Sequence, residues 1–362
     1  MMDEKGHEEN LAGNREKAVS LQQRVGVVNA LEVTRNYAFT PEYAETVRAS
    51  GVMATNMTLG APDVSRGISP GKWSFNDLAR SVEDWYEACS KLPEPIVALP
   101  ILSAEGAIEA KRAGKTAIIF GTQGAGYWID RDLVLLRAAY RLGVRVLGFS
   151  YQRRTIFSDG CGEKTNAGLG VYGERLVKEA NRLGMVIDLA HTGDRSALDA
   201  MKLSTQPVIF SHSCMRTLSS SVRNMTDEQL DALAESGGVV GIASFATLLM
   251  DNVTATHRPT VDDFMDHLDY AVQRIGIDHV GIGLDTAPGR RQEDMDLQVQ
   301  LHPEVFRGPS LQVEYAHCKN LDGPEDLVNV TQQLLQRGYS EQDIEKILSG
   351  NFLRVFREVW GQ

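Results

Sequence analysis

Cysteine is scarce in this chain: four in 362 residues, Cys89, Cys161, Cys214 and Cys318, far apart and without a CxxC pair. That spacing suggests neither a disulfide scaffold nor a cysteine-held zinc, and it fits a reducing compartment. Basic excess is lacking as well. The 37 Lys and Arg against 48 Asp and Glu leave a formal net charge of -11, with no basic patch to offset it, and such a field repels nucleic acid and anionic membranes. No apolar run approaches the ~20 residues that cross a bilayer. The opening stretch MMDEKGHEENLAGNREKAVSLQQR is polar where a secretory leader needs an apolar segment, and the terminal REVWGQ lacks the tail of a lipid-anchor signal. These absences predict a cytoplasmic protein with no membrane and no nucleic-acid partner. What is present is 43% hydrophobic content, enough over this length for a sizeable core.

That content falls in short runs: RVGVVNALEV, GVMATNMTL, PIVALP, TAIIFG, VRVLGFSY, MVIDLA, PVIFSH, GVVGIASF and HVGIGLD. Their continuous apolar character predicts parallel strands buried on both faces. Amphipathic stretches such as RDLVLLRAAYRLG and YGERLVKEANRLG lie between them and close on Gly, which suits a helix C-terminus. Repeated β-then-α closes into a (β/α)8 barrel or winds into an open sheet, and the count favours the barrel. Nine runs exceed eight, which marks PIVALP as an accessory strand or loop. The expected organisation is a mobile polar tail over residues 1–24, a barrel over 25–322, and C-terminal helices over 323–362 packed on the barrel's outside.

Reactive groups in such a barrel stand at the C-terminal ends of strands. His191 follows MVIDLA, His212 follows PVIFS, and Asp285 ends HVGIGL. Two imidazoles and a carboxylate from separate strand ends can converge on one divalent cation.

The blocks GLGVYGERLVKEANRLGMVIDLAH (168–191), PVIFSHS (207–213), RNMTDEQLDALAESGGVVGI (223–242), HVGIGLD (279–285) and YSEQDIEKILSGNFLRVF (339–356) resemble, in order and spacing, the membrane (renal) dipeptidase family of metallopeptidases. The resemblance implies a (β/α)8 TIM barrel of the metal-dependent hydrolase type that cleaves dipeptides with two bridged zinc ions, and a homodimer. It makes His191 and His212 ligands of one zinc. Arg223 becomes the grip on the substrate carboxylate, whose two oxygens a guanidinium fork matches, and Asp285 the group that takes and returns the proton.

The likeness fails at the opening strand. Where the family has a His-x-Asp ligand pair this sequence has Leu31 and Val33, and where it has a bridging glutamate Gln123 stands in FGTQGAG. Tyr151, in GFSYQRR, replaces a histidine beside the developing oxyanion and can still donate a hydrogen bond while contacting substrate. Two neighbouring cations repel without bridging anions, so the expected cofactor is at most one divalent metal, zinc or iron, held by His191, His212 and Gln123 or Asp285; a metal-free state stays open. A one-residue slip of the strand would turn Glu32 inward. The expected function is a dipeptidase-like metallohydrolase acting on a dipeptide or a related small amide. Two other readings stay open: non-hydrolytic chemistry, lyase or oxidative, on an amino-acid-derived molecule, and an inactive binding homologue.

Smaller candidates read as structure. Cys214 is expected to pack as a buried thiol, His302, His317 and Cys318 to lie in a surface or lid segment, and Arg153 and Arg154 to solvate a loop. Asp188 is expected to face away from His191, His279 to sit at the non-catalytic end of the barrel, and His7 to lie in the tail.

Overall fold

The structure is a computed structural model that describes residues 4–34, 38–59, 73–129, 131–306 and 311–361. Each apolar run forms a strand: β1 (Val27–Glu32), β2 (Val52–Leu59), β3 (Val97–Ala98), β4 (Thr116–Thr122), β5 (Val144–Gly148), β6 (Val186–Asp188), β7 (Ile209–Ser213), β8 (Val239–Ile242) and β9 (Val280–Ile282). All pairings are parallel. Closure comes from β2 pairing directly with β4, from Ala54↔Ala117 to Leu59↔Thr122, and from β1 pairing with β9. β3, the PIVALP run, pairs only with the start of β4 and stays outside the ring. The result is an eight-stranded parallel barrel with helices around it. Among the described residues no helix is long and apolar enough to cross a membrane.

β1 carries a bulge. Asn29 pairs with Thr55 and Glu32 with Met57, so three steps on β1 match two on β2. A bulge of this kind re-aims the side chains that follow it, and here it decides where Glu32 goes.

The two chain ends differ from expectation. Helix Glu4–Val25 occupies the segment expected as a mobile tail. Ala18, Leu21 and Gln22 are buried, and Gln22 Oε1 accepts from Thr331 Oγ1 (2.6 Å) in helix Leu327–Gln336. The burying residues are too sparse for the sequence pattern to reveal a docking face. The C-terminal segment is not wholly on the outside either. Helix Asn351–Trp360 repeats apolar residues at three and four positions, and Phe352, Val355, Phe356 and Val359 share one buried cluster with Val28, Val146, Val186, Ile209 and Val239 from the strands. A Cβ on Gly281, beside the start of β9, would lie 2.6 Å from the Phe352 ring, and Trp360 Nε1 donates to Arg145 O. This helix stoppers the N-terminal end of the barrel and leaves the opposite end for chemistry.

Phe352→Ala removes the centre of that stopper and is expected to cost roughly 3–5 kcal/mol, read from urea unfolding midpoints. A loss below about 1 kcal/mol would show the helix to be peripheral.

Candidate active site

His191 stands three residues beyond β6 and His212 lies within β7. Both are buried, and their Nε2 atoms face each other at 2.8 Å. The orientation of His212 is set from behind. Its Nδ1 lies 2.7 Å from Ser211 Oγ, and that hydroxyl donates to Asp188 Oδ2 at 2.5 Å. Asp188 Oδ1 accepts from the backbone N–H groups of Ala190 and Ser211, both at 3.0 Å. A hydroxyl has one proton, and here the carboxylate takes it. His212 Nδ1–H must therefore donate to Ser211, which leaves a lone pair on Nε2 pointing at His191. This is the outer-sphere carboxylate arrangement that orients metal-ligating imidazoles. Asp188, expected to face away from His191 as a structural residue, reaches His212 across the strand pair through a serine that the sequence pattern did not single out.

Burial, and then the positive charge of Arg223, hold both imidazoles well below their usual range, so both are neutral as ligands must be. Arg223 is itself buried and donates from Nη2 to the carbonyl of His212 (3.0 Å). Tyr151 lies against His191, with ring centroids 4.4 Å apart and a 30° tilt. Burial pushes its phenol up to about 12, so it keeps its proton and serves as a donor.

Asp285, half-buried just beyond β9, has its carboxyl raised to about 6 by burial, against the opposing pull of Arg290 and then Arg223. Asp285 and His191 both adopt positive φ, 58° and 66°. A non-glycine residue there costs roughly 1–2 kcal/mol, and such strain concentrates where side-chain placement matters.

The remaining candidates separate. Gln123 donates from Nε2 to Thr58 Oγ1 (3.0 Å), an interaction across to β2. Leu31 is buried and Val33 partly so. The bulge does shift β1, yet it commits Glu32 elsewhere. The Glu32 carboxylate accepts from Tyr43 OH (2.7 Å) on helix Pro41–Ala49, from Thr34 Oγ1 and from Asn29 Nδ2 (3.4 Å), and burial raises its pKa. Glu32 therefore does not replace the missing first-strand ligands.

Cys214 is fully buried beside Ala243 O, and His279 Nδ1 bonds Gly238 O (2.8 Å) near the strand starts, as expected of each. Arg154 pairs with Asp159. His7 falls where no side chain is described. His302 and His317 are not surface residues: His302 is 5% exposed and edge-on to Tyr151, and half-buried His317 packs perpendicular to Phe245.

The two imidazoles form one donor pair. Two neutral imidazoles converge on one point, and the buried Nδ1 of His191 has no partner among the described residues. Yet no group of three His, Cys, Asp or Glu able to hold an ion occurs among those residues.

A sequence model described as "Membrane dipeptidase (Peptidase family M19)" matches residues 77–297 and 313–361. The chain belongs to the membrane dipeptidase family. The matched segments begin after β1 and β2, so the strand that lacks the metal ligands lies outside them. Dipeptidase tcpJ of Claviceps purpurea is 32% identical over 259 residues, 71% of this chain and 54% of that protein. Dipeptidase 3 of Rattus norvegicus is 31% identical over 278 residues, 75% of this chain and 49% of that one. The chain thus spans about half the length of these curated relatives. Among solved structures, an amidohydrolase from Pseudomonas aeruginosa superposes with a TM-score of 0.83 at 25% identity, covering 95% of this chain and 99% of that one. A metallopeptidase from Rhodobacter sphaeroides, liganded with a phosphinate mimic of the dipeptide L-Ala-D-Ala, shares the fold with a TM-score of 0.73 at 21% identity, covering 92% and 99%.

Ser211→Ala severs the link from Asp188 to His212. In this family member the change is expected to alter the tautomer of His212, read from imidazole ¹⁵N shifts in the metal-free protein, and to weaken zinc binding by roughly 10–100-fold. Unchanged ¹⁵N shifts would refute the tautomer assignment.

Proposed function

We propose that this chain is a dipeptidase-like metallohydrolase that cleaves a dipeptide or a related small amide with at most one divalent cation, zinc or iron, held by His191 and His212. The reading rests on one observation above the others: two neutral imidazole nitrogens face each other at 2.8 Å, and a buried arginine hydrogen-bonds the backbone of one of the two residues. A cation held there would supply Lewis-acid polarisation of the scissile carbonyl. Asp285 and Gln123 carry the remaining oxygen donors nearest in role.

The chain's own groups divide the remaining work. Arg223 binds the free carboxylate of the substrate and fixes the amide in place. Asp285, raised to about 6, is ionised at neutral pH yet basic enough to take a proton from the attacking water and return it to the leaving amine. Tyr151, protonated throughout the physiological range, donates a hydrogen bond to the carbonyl oxygen as negative charge builds there. The lack of a third His, Cys, Asp or Glu beside the imidazoles, among the described residues, favours a second reading in which the same pocket binds an amino-acid-like carboxylate without hydrolysing its amide.

Metal analysis after zinc loading is expected to give one equivalent per chain, abolished in His212→Ala, with release of amino acids from a dipeptide panel. Two equivalents with fast turnover would show that residues other than Leu31 and Val33 complete a dinuclear centre, and no metal would leave only the binding reading. Arg223→Met is expected to lower kcat/KM by about 100-fold, the order seen when one partner of a buried charged contact is removed. The base must be ionised, so kcat/KM should fall as pH drops below about 6. Arg290 exerts the strongest pull that lowers the Asp285 pKa, so Arg290→Met is expected to move that acidic limb to higher pH; an unmoved limb would assign it to another group.

A further inference from the structure

Two other buried histidines are bonded at both ring nitrogens, and His191 is open at Nδ1 alone among the described residues. His267 accepts from Met215 N (2.9 Å) and bonds Leu249 O (3.0 Å), and His212 bonds on both sides. His302 is different. It is 5% exposed, and neither of its ring nitrogens has a hydrogen-bond partner among the described residues. Leaving a buried donor or acceptor unpaired costs roughly 1–3 kcal/mol per group, so such a pair of open atoms favours a partner from outside the described residues.

The placement of this ring is deliberate. His302 caps helix Gln292–Leu301, its N–H bonded to Gln298 O (2.9 Å) and its carbonyl accepting from Val305 N and Phe306 N, both at 3.0 Å. Arg153, two residues after Tyr151, clamps this turn to the loop that carries Tyr151. It donates to Leu301 O (2.7 Å) and Gly162 O (3.1 Å) and pairs with Glu304 at 3.0 Å. The clamp sets the His302 ring edge-on to Tyr151 at 6.1 Å and 78°, and Tyr151 in turn lies on His191 at 4.4 Å. Three rings, His191, Tyr151 and His302, thus pack in series, and the last has both polar atoms open. Burial, and then Arg153, press its pKa down to about 4, so the ring is neutral and offers one donor and one acceptor.

We propose that His302 is a substrate-contacting residue, its two open ring nitrogens hydrogen-bonding a dipeptide-like ligand beside Tyr151, where one donor and one acceptor complement an oxygen and the free amino group of that ligand. The inference rests on the dipeptidase-like reading and adds to it a contact supplied by the segment after β9.

The test uses the zinc-loaded full-length protein and a phosphinic pseudodipeptide of Ala-Ala as probe, titrated by calorimetry and by ¹⁵N spectra of the histidine side chains. His302→Phe keeps the edge contact with Tyr151 and loses both hydrogen bonds, while His302→Gln keeps one donor and one acceptor. The expected result is a shift of the His302 resonances on probe binding, a 10-fold or greater loss of affinity in His302→Phe at unchanged melting temperature, and partial recovery in His302→Gln. Probe binding that depends on Arg223 but is equal in wild type and His302→Phe, with the His302 resonances unmoved, overturns the inference and leaves the dipeptidase reading standing. Absence of probe binding in the wild type overturns both.

Discussion

A buried carboxylate organises the barrel mouth. Asp188 accepts two backbone N–H groups and the Ser211 hydroxyl, and through that hydroxyl it fixes His212 against His191. Burial pushes such a group toward the neutral form, and its hydrogen bonds pull it back. Room for this chain of polar groups exists because the neighbouring strands carry glycine where they pass β7. A Cβ on Gly241 would lie 2.3 Å from Ser211 O, and one on Gly283 1.7 Å from it. The close approach of three strands and the orientation of one imidazole are therefore a single constraint.

Charge at the mouth is governed by Arg223 and Arg290. Arg223 acts at once on both histidines, Asp285 and Tyr151. Burial first, and Arg223 after it, hold the imidazoles neutral; Arg223 also moderates the rise of the Asp285 pKa, while Arg290 does the larger share of the latter. Opposing these cations, β1 brings only aliphatic groups at Leu31 and Val33, and the Glu32 carboxylate is occupied by Tyr43, Thr34 and Asn29. A second divalent ion close to the first would meet strong repulsion with little bridging negative charge to offset it.

Much of the fold was legible because parallel barrel strands, buried on both faces, leave continuous apolar runs. All nine runs became strands, and the shortest, at PIVALP, fell outside the ring. The N-terminal helix was not legible, since a mostly polar helix docks through only a few residues such as Leu21 and Gln22. At the site, His191 and His212 are brought together as their positions at strand ends imply, and Tyr151 and Arg223 join them as the family resemblance implies. The relay from Asp188 to His212 and the burial of His302 stayed hidden for different reasons. Alternation along β6 says nothing about a hydrogen bond to the next strand, and a histidine in a segment between elements looks exposed until the overhang of that segment is known.

The sequence by itself determined that this chain forms a barrel with imidazoles on one wall of its mouth and no first-strand ligands, because side-chain period and residue chemistry are local properties. Only the tertiary structure decided that a β1 bulge directs Glu32 toward Tyr43, that Ser211 relays Asp188 to His212, and that Arg153 holds His302 over Tyr151. Each of these joins residues on different elements, and the distance between elements is a property of packing that no one segment encodes.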